Sequence, residues 1–160
     1  MQQLFMQLKE VNMPSILRQM NVISRCAAAY KTEKSTIDGI SGAHHVFFFR
    51  ICKEPGLSQD ALVKHTRLNK STVTRTLAYL EERGFVKRVQ DEADKRSLLV
   101  YPTDRMLEVF PEVQRLAREW NSSLVEDIEA DDLRVFESVL KKMEKRAISL
   151  AFGEGSEEQS

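Results

Sequence analysis

The chain has 160 residues, 42% of them apolar and 30% charged, and its 24 basic and 24 acidic side chains cancel. There is enough Leu, Ile, Val and Phe for one globular domain with helical extensions, which excludes a wholly disordered chain. The zero net charge argues against a general polyanion binder, but Lys64 to Arg96 holds nine Lys or Arg against five Asp or Glu, net +4, while Glu119 to Asp132 holds six acids and no base.

The opening MQQLFMQLKEVNMP has neither a basic leader nor a long apolar stretch, so no signal peptide is expected. No apolar run approaches the roughly 20 residues of a membrane span, so a cytoplasmic protein without a membrane partner is expected. From 15 to 33, Ile16, Met20, Ile23, Ala27 and Tyr30 recur at steps of 4, 3, 4 and 3, a helical stripe of near-heptad spacing. Pro14 suits the first turn of that helix and disfavours helix at Met13. Cys26 and Cys52 match no metal or redox spacing, which fits a reducing compartment.

Ser41 is expected to cap a second helix, running to about Lys53 around HVFFFRIC and stopped by Pro55-Gly56. Ser58 opens a short third helix, SQDALVKH, with Asp60 in its first turn. A four-residue connection leads to Asn69, the cap of a fourth helix, KSTVTRTLAYLEER, which Gly84 ends in a left-handed conformation. FVKRVQ (85–90) and SLLVY (97–101) read as a hairpin around the loop 91–96, and Pro102 ends its second strand.

Thr103 caps a long fifth helix with the stripe Met106, Phe110, Val113, Ala117, Trp120 and Leu124, in which Pro111 predicts a kink or a displaced start. A sixth helix begins near Asp131 and carries Leu133, Phe136, Leu140, Met143, Ala147 and Leu150. One small centre cannot cover three long stripes, so an interface between two copies is expected to bury them. The end of the chain reads as a disordered acidic tail.

Helix, short helix, tight turn, helix and hairpin make a helix-turn-helix followed by a wing. The fold expected is mainly α with a small β wing. In the fourth helix Val73, Leu77 and Leu80 share one face, while Ser71, Arg75, Ala78 and Glu82 lie opposite, flanked by Thr72, Thr74 and Tyr79. Small hydroxyl side chains let a helix approach base edges closely, and Arg75 has the fork to grip guanine or a phosphate. Glu82, two turns on, is expected to lie outside the groove. An amphipathic surface helix with an inert polar face is the bland alternative, and the conjunction of caps, turn, hydroxyls and hairpin weighs against it.

The stretch from Glu54 to Thr103 resembles the winged helix of the MarR-type (multiple antibiotic resistance regulator) transcriptional regulators. The matching pieces are P-G-L-S (55–58), K-S-T-V-T-R (70–75), L-E-x-R-G-F (80–85), D-x-R (94–96) and Thr103. Members usually have Leu before that Thr and Gly three residues after it, where this chain has Pro102 and Met106. The resemblance implies a homodimer with an N-terminal dimerisation helix (1–36), a winged helix-turn-helix domain (37–102, turn region about 58–83, wing 85–101), C-terminal dimerisation helices (103–152) and the tail (153–160).

It further implies double-stranded DNA as partner, contacted by Ser71, Thr72, Thr74 and Arg75 from the fourth helix and by Arg96 from the wing, with Asp94 orienting Arg96. Lys95 is expected beside a phosphate, and Asp91 and Glu92 are expected to be solvated loop residues. Two-fold symmetry predicts a pseudo-palindromic operator with half-sites about ten base pairs apart. The implied function is a repressor released by a small aromatic or phenolic effector. An effector pocket is expected around Phe47, Phe48 and Arg50, where an Arg beside aromatics suits a carboxylate; against it stands the reading that the phenylalanines are core.

Redox sensing by Cys26 or Cys52 and metal binding by His44, His45 or His65 are weaker alternatives. The cysteines lack a second thiol within sequence reach, and adjacent histidines point to different sides of a helix. No Gly-rich phosphate loop, nucleophile-base pair or cofactor fingerprint is present, so neither an enzyme nor a cofactor is expected. A winged helix serving as a protein-interaction module, without operator binding, is the reading from another class.

Overall fold

The computed structural model describes residues 13–153, the first three as backbone alone. The elements in order are α1 (Met13–Lys34), a 3-10 turn (Gly42–His44), α2 (His45–Lys53), β1 (Leu57–Ser58), α3 (Gln59–Thr66), α4 (Lys70–Glu82), β2 (Val86–Gln90), β3 (Leu98–Pro102), α5 (Asp104–Leu124) and α6 (Ala130–Phe152). The fold is mainly α with a small β wing, as the hydrophobic pattern predicts. The chain divides into two compact units, one ending at Trp120 and the other starting at Asn121.

In the first unit the expected caps close the helix-turn-helix. The Ser58 hydroxyl accepts from the Ala61 amide at 3.1 Å, and the Asn69 side chain accepts from the Thr72 amide at 2.8 Å. Each such cap is worth about 1 kcal/mol. Helix α4 ends in paired carbonyl bonds, Phe85 N–H to Leu80 O and Gly84 N–H to Glu81 O, both 2.9 Å. That pattern needs a left-handed residue after the cap, and Gly84 has φ +74°. The chain therefore turns from α4 into β2 within three residues, Arg83 to Phe85.

Beneath α4, Val73, Leu77 and Leu80 are fully buried with Phe48, Ile51, Leu62 and Phe85. Each such side chain contributes about 1.5–3 kcal/mol by leaving water. Met106 and Val113 of α5 belong to the same core. The Thr103 hydroxyl caps α5, accepting from the Met106 amide at 3.3 Å, and itself lies 2.6 Å from the Gly84 carbonyl. It thereby ties the start of α5 to the exit of α4.

The sheet is antiparallel with order β1-β3-β2. Sequence pattern gave no sign of β1, whose two residues pair Leu57 with Val100 and Ser58 with Leu99. Four further expectations are corrected. Met13 is helical, so the restriction that Pro14 imposes is absorbed at this end of α1. The connection between α3 and α4 has three residues, Arg67 to Asn69, because α3 continues through Thr66 until Arg67 turns left-handed (φ 56°). Helix α5 runs from Asp104 through Pro111 without a displaced start. Pro111 is exposed, where water can stand in for the missing amide donor. Ser41 caps the 3-10 turn ahead of α2 rather than α2 itself.

In the second unit, α6 follows Glu129 and has no buried residue. Of its stripe, Phe136, Met143 and Leu150 are 57%, 37% and 71% exposed. Of the expected tail, 154–160 lies outside the described residues.

Candidate nucleic-acid interface

The fully buried apolar side of α4 leaves Ser71, Thr74, Arg75, Ala78 and Glu82 exposed, with Thr72 half-buried beside the cap. Ser71 donates its hydroxyl to Asn69 Oδ1 at 2.8 Å, and the Arg75 Nε donates to the Ser71 carbonyl at 3.3 Å. This bond lays the Arg75 stem along the first turn and leaves the terminal nitrogens of the guanidinium outward. The surface so formed is short, polar and cationic. Thr74 is also held from outside its own helix, by the Gln59 amide at 2.5 Å. Nothing in the sequence singled out Gln59, because the contact spans the turn between two helices.

The base of the wing is fixed to α4 through Arg88. Its backbone amide donates to Glu81 Oε1 at 3.0 Å and its Nε to Oε2 at 2.9 Å. The hydrogen bond from Arg88 holds the Glu81 carboxyl below the usual range, against the raising effect of burial. Helix α4 and the wing therefore share one junction, another feature that composition and spacing did not reveal.

At the wing tip Asp94, Lys95 and Arg96 are all exposed. The Asp94 carboxylate accepts from the backbone amide of Arg96 at 3.1 Å, and its carbonyl from the Ser97 amide at 2.8 Å. Asp94 thus acts on the backbone of Arg96, fixing the turn from which the guanidinium projects. Asp91, expected to be only solvated, is half-buried and accepts from the Ala93 amide at 2.9 Å, so it shapes the opposite side of the same loop. The Gln90 amide closes the tip on the Lys95 carbonyl at 2.6 Å.

The positive charges of this region differ in their partners, and Lys87 lies over the Tyr101 ring. Lys70 pairs with Asp60 at 2.9 Å, Arg83 with Asp38 at 3.5 Å, and Arg88 with Glu81. Arg75, Lys95 and Arg96 have no ion-pair partner among the described residues, and these are the cations on the α4 face and the wing tip.

The residues proposed for sensing lie elsewhere. Phe47 and Phe48 are 1% and 0% exposed in the core, so as packed they offer no surface to a ligand, and Arg50 is half-buried. Burial pushes the Cys52 thiol up to about 11, so it stays protonated at neutral pH and is a poor nucleophile. Cys26 is exposed on α1. His44 Nδ1 accepts from the Ser41 amide at 3.1 Å, whereas both ring nitrogens of buried His45 lack a partner among the described residues. Among the described residues no group of three His, Cys, Asp or Glu converges as a metal site, and no helix is long and apolar enough to cross a membrane.

Residues 38–97 match the model of the MarR family. The uncharacterized HTH-type transcriptional regulator YybA of Bacillus subtilis is 21% identical over 133 residues, covering 83% of this chain and 89% of that protein. A MarR transcriptional regulator from Methanosarcina mazei Go1 superposes with a TM-score of 0.78 at 25% identity, over 86% of this chain and 99% of that one. A MarR family regulator from Listeria monocytogenes, solved in complex with a 26mer DNA, shares the fold with a TM-score of 0.75 at 22% identity, over 83% and 88% of the two chains. Taken with the helix-turn-helix, the wing and their cap residues, these matches show that the chain is similar to the MarR family of transcriptional regulators, in sequence over residues 38–97 and in its winged helix-turn-helix fold.

Proposed function

We propose that the chain is a homodimeric repressor that binds a pseudo-palindromic operator and is released by a small aromatic or phenolic anion. The observation that carries the DNA-binding part is the exposed face of α4, bearing Ser71, Thr74 and Arg75, beside a wing tip whose Lys95 and Arg96 have no ion-pair partner among the described residues. In this reading Ser71, Thr72, Thr74 and Arg75 enter the major groove. Arg96 probes the minor groove, where narrow A·T stretches have enhanced negative potential, and Lys95 meets a phosphate. Binding to DNA in the Listeria relative supports the same use of the fold here.

Dimerisation is assigned to the helices on either side of residues 37–102. The exposed apolar residues of α1 (Leu17, Val22, Ile23) and of α6 are the surface available for it. The effector class rests on the family resemblance, with half-buried Arg50 as the cation for its carboxylate. The acid-base state of Cys52 weighs against a thiol sensor at that position.

A gel shift on the DNA upstream of the chain's own gene tests this reading. Sequence-specific binding that weakens steeply with salt is expected, since each phosphate contact releases counterions. Arg75→Ala is expected to cost about 1–3 kcal/mol and to blunt preference at one base pair per half-site; uniform loss across sequences would make Arg75 a phosphate contact. No shift even at low salt would sink the proposal in favour of a protein-interaction module, the alternative that the zero net charge keeps alive.

The wing has its own test. Asp94→Ala removes a negative charge from a DNA surface, yet is expected to weaken binding by about 1 kcal/mol, because the Arg96 turn loses its side-chain acceptor. Titrations of Asp94→Ala and Arg96→Ala against one operator check it. Tighter binding by Asp94→Ala overturns the orienting role.

A further inference from the structure

A threonine hydroxyl has one hydrogen to donate and two lone pairs to accept with. In Thr74 the hydrogen is directed at the Lys70 carbonyl, 2.9 Å away in the preceding turn. The Gln59 amide lies 2.5 Å from the same oxygen. With its hydrogen committed to Lys70, the Thr74 oxygen only accepts, so Gln59 must face it with its NH2 group. A second contact bridges the same two helix starts, the Lys70 ammonium on the Asp60 carboxylate at 2.9 Å. Helices α3 and α4 are thus pinned together at the end of α4 that bears Thr74, and Thr74 is exposed there with one lone pair open.

We propose that Gln59, although outside the recognition helix, is a specificity-determining positioning residue that locks the Thr74 hydroxyl as a hydrogen-bond acceptor. The inference rests on the DNA-binding reading of α4. An acceptor in the major groove pairs with the amino groups of adenine N6 or cytosine N4, and not with guanine O6 and N7 or thymine O4. It is equally denied to phosphate oxygens, which also only accept. Without Gln59 only the Lys70 carbonyl holds the hydrogen, and the hydroxyl is less opposed when it turns to donate to one of these groups. The lock therefore converts a side chain of general affinity into one that reads a base.

The experiment is selection from a pool of randomised duplexes, followed by affinities for all four base pairs at each operator position. The proteins compared are the parent, Gln59→Ala, Gln59→Met, Thr74→Val and the double variant Gln59→Ala/Thr74→Val. Gln59→Met keeps the bulk of the side chain, and circular dichroism verifies that each variant folds. The parent is expected to prefer an amino-bearing base about fivefold at one position per half-site, the scale of one hydrogen bond. Both Gln59 variants are expected to reduce that preference to less than about twofold while leaving the other positions and the salt slope unchanged. Thr74→Val is expected to remove it, and the double variant to match Thr74→Val.

A full preference retained in the Gln59 variants, an equal loss at every position, or additive losses in the double variant each overturn the lock. If the parent enriches no sequence at all, the DNA-binding reading falls and this inference with it. Enrichment by the parent with unaltered discrimination in Gln59→Ala sinks the lock alone.

Discussion

Acidification from pH 7 to pH 4 is expected to remove about 3 kcal/mol of folding stability through His45 alone. His45 is 2% exposed, and neither ring nitrogen has a hydrogen-bond partner among the described residues. Burial, then the charges of Lys31 and His44, push its pKa down to about 4, and Glu112 only partly opposes them. In the unfolded chain the same imidazole titrates near 6.5. Between these values the unfolded state binds a proton that the folded state refuses. Stability is therefore full above pH 6.5, falls as the pH drops towards 4, and loses nothing more from this group below that.

The neighbours set the window apart from other acid effects. Burial also lowers His44, which adds to the loss in the same direction. Burial raises Glu112, but the amide and hydroxyl of Thr36, each at 2.7 Å, and Arg115 outweigh it, so its net pKa is lowered. A lowered carboxyl stabilises above its ordinary value and is lost only as pH falls below about 4.5. Urea titrations at fixed protein concentration between pH 7 and 4.5 therefore isolate the histidines. His45→Phe is expected to flatten most of the slope and to raise stability at pH 7 by about 1 kcal/mol, since two unsatisfied polar atoms disappear. A slope as steep in His45→Phe as in the parent would place the acid sensitivity elsewhere.

The contrast between His45 and α4 shows what the sequence could carry. The exposed polar face of α4 is legible in the sequence because every signal for it is local: the Ser58 and Asn69 caps, the left-handed Gly84, and the spacing of Val73, Leu77 and Leu80. The Gln59–Thr74 bond, the Glu81–Arg88 bracket and strand β1 are not, because each depends on a partner brought near only by folding. β1 exists because Gly56 and its neighbours meet β3, the Gly56 amide donating to the Val100 carbonyl at 2.9 Å. His44-His45 is ambiguous in sequence. One ring bonds a cap and the other is buried without a partner, and only the packing of α2 decides which. Asp91 was misread because a turn aspartate and a solvated one have the same neighbours in sequence.

Gly42→Ala is expected to cost about 2–3 kcal/mol, although alanine suits most helical and turn conformations better than glycine. The 3-10 turn lies against α1 so closely that a Cβ at Gly42 would sit 2.3 Å from the Ala28 carbonyl oxygen and 2.8 Å from its Cα. These are backbone atoms of a helix, which cannot swing aside as a long side chain can. The contact is held by the Gly42 amide donating to Thr32 Oγ1 at 2.8 Å, while that hydroxyl donates to the Ala28 carbonyl at 2.7 Å. Relief of the clash therefore breaks a hydrogen-bond relay as well as separating the two segments. The cause is steric, whereas at Gly84 it is conformational: φ is +74° there, and the nearest atom to an added Cβ is Arg105 Nη1 at 4.0 Å. Asparagine separates the two cases, because it tolerates the left-handed region but carries a larger side chain. Gly84→Asn is expected to keep most of the parent's stability, and Gly42→Asn to lose at least as much as Gly42→Ala. Ala28→Gly should not rescue Gly42→Ala, since the atoms in the way are main-chain; rescue in urea titrations would show that the Ala28 methyl, not the helix backbone, sets the approach.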